Sequence, residues 1–147
     1  METRVAEAIR RAVAEEPFAR LLNMQLIELA DGHSRIEMRF DPQRMNNIYQ
    51  RAHGGALFAL IDEAFETASQ TGGTIAVALN VNVGYVCSPE PGVLLSATAD
   101  RVSQTRRTAG YTIVVRDEAE RLVAQCQALA YRTGKPIPFL DNPPATG

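Results

Sequence analysis

The chain has 147 residues, a net charge of −2, and 46% hydrophobic against 22% charged residues. That is the composition of one globular domain able to bury a core without staples. A near-neutral chain with no dense basic block argues against nucleic acid as the main partner, and no apolar run approaches the ~20 residues that span a bilayer.

The opening stretch spaces Val5, Ala8, Ile9, Ala12 and Val13 at helical intervals, and Pro17 is expected to break or end that helix. A β-hairpin follows around Asp31-Gly32. In its second arm Ile36, Met38 and Phe40 face one way, and Arg35, Glu37 and Arg39 the other. His33, in the turn, is expected to be exposed. Residues 41–52 read as a loop leading into a helix placed at about residues 55–70 and stopped by Gly72-Gly73. Four strand-like runs then occupy the chain to about residue 133, with breaks at 89–92, 105–106 and 118–120. Long strands with short turns imply an antiparallel sheet. The segment 136–147 is a proline-rich tail expected to fray, which leaves residues 1–135 as a single domain. Cys87 and Cys126 lie far apart in apolar, strand-like stretches. With no cysteine framework or leader segment, they are expected as free thiols in a reducing cytoplasm.

The long helix is unusual. Leu57, Leu60, Ile61, Ala64, Phe65 and Ala68 cover more than half its circumference, so a flat sheet on one side would leave apolar surface in water. A strongly curved sheet wrapped around it would not. The expectation is an α+β fold with one central helix.

The run "NNIYQRAHGGALFALIDEAFETASQTGG", residues 46–73, holds the candidate chemistry. Helix N-termini carry N–H groups without intrahelical partners and a positive dipole end. Gly54 and Gly55 would either make a sharp turn or leave those groups open to an anion or an oxyanion. Asp62 sits at the edge of the apolar arc between Phe58 and Phe65, where a carboxylate is either solvated or catalytic. Glu63 and Glu66 read as surface groups. Asp62 stands roughly 10 Å from the glycine amides of its own chain, too far to share one reacting carbon with them. Two copies with these helices antiparallel about a twofold would bring Asp62 of one to Gly54 of the other. His53 could orient a ligand or support the loop. Arg106, Arg107 and Thr108 sit at a sheet end where paired arginines could grip phosphate or simply be solvated. Two distant histidines and no Cys-x-x-Cys leave no zinc site, and no Gly-x-Ser-x-Gly elbow is present.

Taken together, Asn47, His53-Gly54-Gly55 and Asp62, with the strands that follow, resemble the phenylacetic-acid-pathway (PaaI-type) thioesterases of the hotdog-fold superfamily, over roughly residues 20–132. The resemblance implies a hotdog fold and a cytoplasmic acyl-coenzyme A thioester hydrolase. It implies homodimers that often pair into tetramers, and no cofactor beyond the coenzyme A of the substrate. By the same resemblance Asp62 is nucleophile or general base, and Gly54 and Gly55 offer N–H groups to the thioester oxygen. Asn47 and His53 support that loop and the water or thioester, while Arg106, Arg107 and Thr108 meet coenzyme A. Two departures stand out: Ile48 follows Asn47 where relatives often have glycine, and Ala78 falls where some carry a hydroxyl, with Asn80 a neighbour able to take part. The rival readings are a non-catalytic acyl-CoA-binding regulator and a hotdog dehydratase or hydratase.

Overall fold

The computed structural model describes residues 1–141; the rest of the tail expected to fray, 142–147, lies outside the described residues. The elements in chain order are α1 (Thr3–Glu15), α2 (Pro17–Leu21), β1 (Gln25–Ala30), β2 (His33–Arg39), α3 (Pro42–Met45), α4 (Gly54–Ser69), β3 (Thr74–Tyr85), β4 (Leu94–Gln104), β5 (Thr108–Asp117) and β6 (Leu122–Pro136). Pro17 separates two helices because the residue before a proline is pushed out of the α region. Glu16 is accordingly extended, and Pro17 opens α2 at its first turn.

The segment expected as a plain loop contains α3, a correction with a local cause. Asp41 caps the turn by accepting from the Gln43 N–H at 3.0 Å, and Pro42 starts it. His33 also departs from expectation. It is half-buried, with Nδ1 2.7 Å from Asp100 and Nε2 3.4 Å from Glu28. Asp100 first, and Glu28 after it, raise its pKa.

The six strands form one antiparallel sheet in the order β1-β2-β4-β5-β6-β3. β3 follows α4 directly, yet it crosses to the far edge and pairs with β6. α4 touches all six strands, so the sheet wraps around it as the apolar arc demands. Leu57, Leu60, Ile61, Ala64, Phe65 and Ala68 are all buried, and Phe65 meets Tyr111 edge-on at 5.3 Å between ring centres. This is the α+β hotdog arrangement.

Polar contacts fix the helix inside that wrap. Ser34 Oγ donates to the Ala64 carbonyl at 2.6 Å. Thr71 Oγ1 donates to the Ala68 carbonyl and accepts from the Gly32 N–H. Beyond the helix end, the Gln70 side-chain amide clips both backbone groups of Ala76. On the other side of the sheet edge, α1 packs Val5 and Ile9 against Ile137. Among the described residues no helix is long and apolar enough to cross a membrane.

One stripe of α4 escapes enclosure. Gly55, Phe58 and Glu66 are exposed and Asp62 is half-buried, and their spacing puts them on one line along the helix. The free edge of β3 is also uncovered, with Val77, Leu79 and Tyr85 about half exposed.

Leu60 is fully enclosed, so truncating it leaves a cavity the sheet cannot close. Leu60→Ala is expected to cost about 3 kcal/mol, read by urea denaturation at fixed protein concentration. A loss below about 1 kcal/mol would mean that the helix is not enclosed as described.

Candidate active site

The loop before α4 is built to deliver a capping residue. Asn47 Oδ1 accepts from the N–H groups of Tyr49 (2.9 Å) and Arg51 (3.1 Å), and the Asn47 N–H donates to the Arg51 carbonyl at 2.7 Å. Gln50 takes a positive φ of 59° to close the turn. The His53 N–H then bonds the Met45 carbonyl at 2.7 Å, which anchors the loop to α3. Ile48 and Tyr49 at its tip are 85% and 77% exposed.

His53 is the N-cap of α4: its Nδ1 accepts from the Gly55 N–H at 2.9 Å. That divides the two glycines. The Gly55 N–H is engaged within its own chain, whereas the Gly54 N–H finds no acceptor among the described residues. The helix entrance therefore offers one open backbone donor at its positive end. The Gly54 carbonyl accepts from the Tyr85 hydroxyl at 3.0 Å. A Cβ on Gly54 would stand 3.2 Å from the Tyr85 ring, so the missing side chain is what lets the two segments approach this closely. Tyr85 was not singled out from the sequence. Its only mark there is a hydroxylated aromatic beside Gly84 at a strand end.

Asp62 lies on the open stripe, eight residues and about 12 Å beyond Gly54 along the helix. Burial pushes its pKa up, with no cation or hydrogen bond nearby to offset the effect. Within one chain the two groups do not converge. Glu63, read from the sequence as a surface group, is a correction: it is 4% exposed. Its face of α4 lies towards Glu16, at the α1–α2 junction, which the helical wheel could not show. Burial first, then the charges of Glu16 and Glu66, push its carboxyl up to about 8.

The remaining predicted residues sit elsewhere. Tyr131 pairs with both Thr108 and Val77, which puts Thr108 and the neighbouring Arg106 and Arg107 level with the start of β3. Gly54 meets the end of β3 at Tyr85, eight residues and about 26 Å further along the strand. Arg107 Nη1 donates to the Tyr131 hydroxyl at 3.2 Å, and Thr105 Oγ1 holds the turn. Asn80 pairs with Leu129, beside Asn82 and Gln127. Cross-strand partners share a face, and the buried Ala128 and Cys126 mark the other face as the one turned to the core. Asn80 thus points away from α4 of its own chain. A register shift between Ala78 and Asn80 marks a bulge there. Both cysteines are free.

The family comparison agrees with this architecture. Residues 49–124 match the model of the thioesterase superfamily. The acyl-coenzyme A thioesterase PaaI of Escherichia coli is 30% identical over 119 residues, covering 81% of this chain and 84% of that protein. The structure of the E. coli PaaI protein, from the phenylacetic acid degradation operon, superposes with a TM-score of 0.86 at 28% identity, over 91% of this chain and 96% of that one. A single-residue mutant of the phenylacetic acid degradation protein PaaI from Thermus thermophilus gives 0.75 at 34% identity, over 80% and 99%. The chain belongs to the thioesterase superfamily, whose enzymes hydrolyse thioesters on the hotdog fold. Within that superfamily it is closely related to the PaaI type.

If the Asp62 carboxyl is held in the partly buried setting seen here, carbon-detected NMR titration will give it a midpoint above the ordinary 3.8. A midpoint at or below 3.8 would mean that solvent or a cation reaches it freely.

Proposed function

We propose that the protein hydrolyses acyl-coenzyme A thioesters, with aryl acyl groups of the phenylacetyl type preferred, at two sites built across a homodimer. The observation that carries this reading is a pair of groups without partners among the described residues: the open Gly54 N–H and the half-buried Asp62.

A second copy answers the geometry. β3 is a 12-residue edge strand with apolar side chains and a row of unpaired backbone groups, which favours pairing with another strand. Antiparallel pairing of β3 with its twin about a twofold lays the start of one strand beside the end of the other. Gly54 of one chain then nears Asp62 of its partner, and the Arg106–Thr108 turn moves to the same end. Pairing of dimers into tetramers is compatible with this contact, because it leaves the outer face of the sheet free.

In this site the thioester oxygen takes the Gly54 N–H, and the helix dipole supports the charge that grows on it. Asp62 acts in one of two ways. As a base it takes a proton from water, the hydroxide adds to the carbonyl carbon, and the C–S bond breaks as the thiolate recovers the proton. As a nucleophile it forms an anhydride with loss of the thiolate, and water then cleaves the anhydride. Both routes need the ionised carboxylate and give free acid and coenzyme A. His53 holds the helix entrance, Asn47 holds the loop, and Tyr85 fixes the Gly54 peptide. Phe58, one turn before Asp62 and 37% exposed, offers an aromatic wall to an aryl group. The named relatives of the phenylacetic acid pathway support that preference. Arg106 and Arg107 suit the phosphates of coenzyme A.

Thiol release from a panel of aryl and fatty acyl-CoA thioesters tests the reading. Asp62→Asn is expected to lower kcat by at least about 100-fold, and an equal rate for wild type and variant on every substrate would end it. An enoyl product from a β-hydroxyacyl-CoA would point to dehydration, and tight binding without turnover to a regulator. The acid limb of kcat/KM is expected above pH 3.8, since the folded-state pKa of Asp62 is raised and activity falls as pH drops through it.

The cross-chain arrangement has its own test. Gly54→Pro deletes the N–H where the proline φ suits a helix start, after an extended His53 at φ −67°, ψ 130°. Its Cβ also crowds the Tyr85 ring at 3.2 Å, so the variant disables the helix entrance of its own chain and leaves its Asp62 intact. Mixed with Asp62→Asn, itself inactive, it is expected to restore about a quarter of wild-type activity, because half the dimers gain one intact site. No restoration after verified subunit exchange would place both groups in one chain.

A further inference from the structure

Beside the C-terminal end of the open stripe, which Glu66 shares, α4 meets the α1–α2 junction across a cluster of acids. We infer that Glu16, Glu63, Glu66 and Thr67 form a binding site for a hard divalent cation of the calcium class. One carboxylate oxygen from each of Glu16, Glu63 and Glu66 lies within 4.8 Å of the other two. Oxygens on opposite sides of a calcium ion stand about 4.8 Å apart, so a single ion can touch all three. None of the three takes part in any ion pair among the described residues. Ionised carboxylates at this spacing repel one another, and burial together with that repulsion holds the pKa of the Glu63 carboxyl at about 8 without a cation.

A second observation comes from buried groups without partners. Glu63 is 4% exposed and its Oε1 has no hydrogen bond; Thr67 is 2% exposed and its Oγ1 has none. Buried oxygens seldom go unpaired. Thr67 follows Glu63 by one turn on the same face of α4. With Glu16 and Glu66, Thr67 lines a cavity of about 490 Å³ walled by Ile9, Val13 and Phe139. This opening admits a hydrated ion, and water completes its shell. The donors are all oxygen, three of them carboxylate, which suits calcium, manganese or magnesium and not the softer metals that seek nitrogen or sulfur. Ligands drawn from two chain segments leave the site adaptable, which favours calcium over the strictly octahedral magnesium. The bound ion would clamp the N-terminal helices onto the central helix.

The test uses the full chain, stripped with chelator and dialysed. Melting is followed with calcium chloride, and separately with manganese or magnesium, each against sodium chloride of equal ionic strength, while calorimetry counts the ions bound. Wild type is expected to bind one calcium per chain with a Kd of about a millimolar or tighter and to melt several degrees higher. Glu63→Gln, which keeps the buried shape, is expected to lose that shift. Glu66→Gln, an exposed change that leaves packing intact, is expected to weaken binding by about tenfold or more. Both variants should melt cooperatively without calcium. No shift beyond the sodium control, or a full calcium shift retained in Glu66→Gln, overturns the site. Because the assay reads melting and stoichiometry, its result is independent of thioester turnover.

Discussion

A helix that is apolar over most of its circumference has to be enclosed, and most of the molecule follows from enclosing α4. Leu60, Ile61 and Ala64 are completely buried, which requires protein on several sides of one rod. Six strands supply it by curving. Because β3 must run from the end of α4 out to the far edge, the sheet closes around the helix without completing a barrel. The unclosed side coincides with the stripe bearing Gly55, Phe58, Asp62 and Glu66. Enclosure and exposure thus divide the same helix between them.

The entrance to that helix combines a strict cap with a looser donor. His53 engages the Gly55 N–H, and the bonds around Asn47 deliver His53 to that place. Capping removes one polar group from competition and leaves the Gly54 N–H as the group with unmet demand. For a group that stabilises developing charge, being held in advance matters more than being numerous, since no reorganisation is then needed at the moment of reaction.

Much of this was legible in the residues. The 3.6-residue spacing of Leu57, Leu60, Ile61, Ala64 and Phe65 located α4 within one residue at each end, and Asp31-Gly32 marked the hairpin. The cap of α3 is written in Asp41-Pro42, but four residues show no periodicity by which to recognise a helix. Glu63 escaped for a different reason. A helical wheel ranks faces by polarity, but burial on that face depends on where α1 and α2 dock, a long-range fact that local spacing does not carry. The same limit hid Tyr85, whose contact with Gly54 joins positions 31 apart. Nor does local spacing carry the register shift between Ala78 and Asn80. Asn47, His53 and the glycines meet at one entrance because they are neighbours in sequence. Arg106 to Thr108 do not join them within the chain, since the antiparallel path puts that turn at the opposite end of the sheet.

Tyr85 ends the outermost strand and holds the first peptide of the central helix. That bond makes the rim of the sheet a lever: whatever grips the rim also tugs on the peptide at the helix mouth. In the single chain Tyr85 is about half exposed and already makes that bond. Loss of the Tyr85 hydroxyl would therefore free the Gly54 carbonyl without any change in the helix itself.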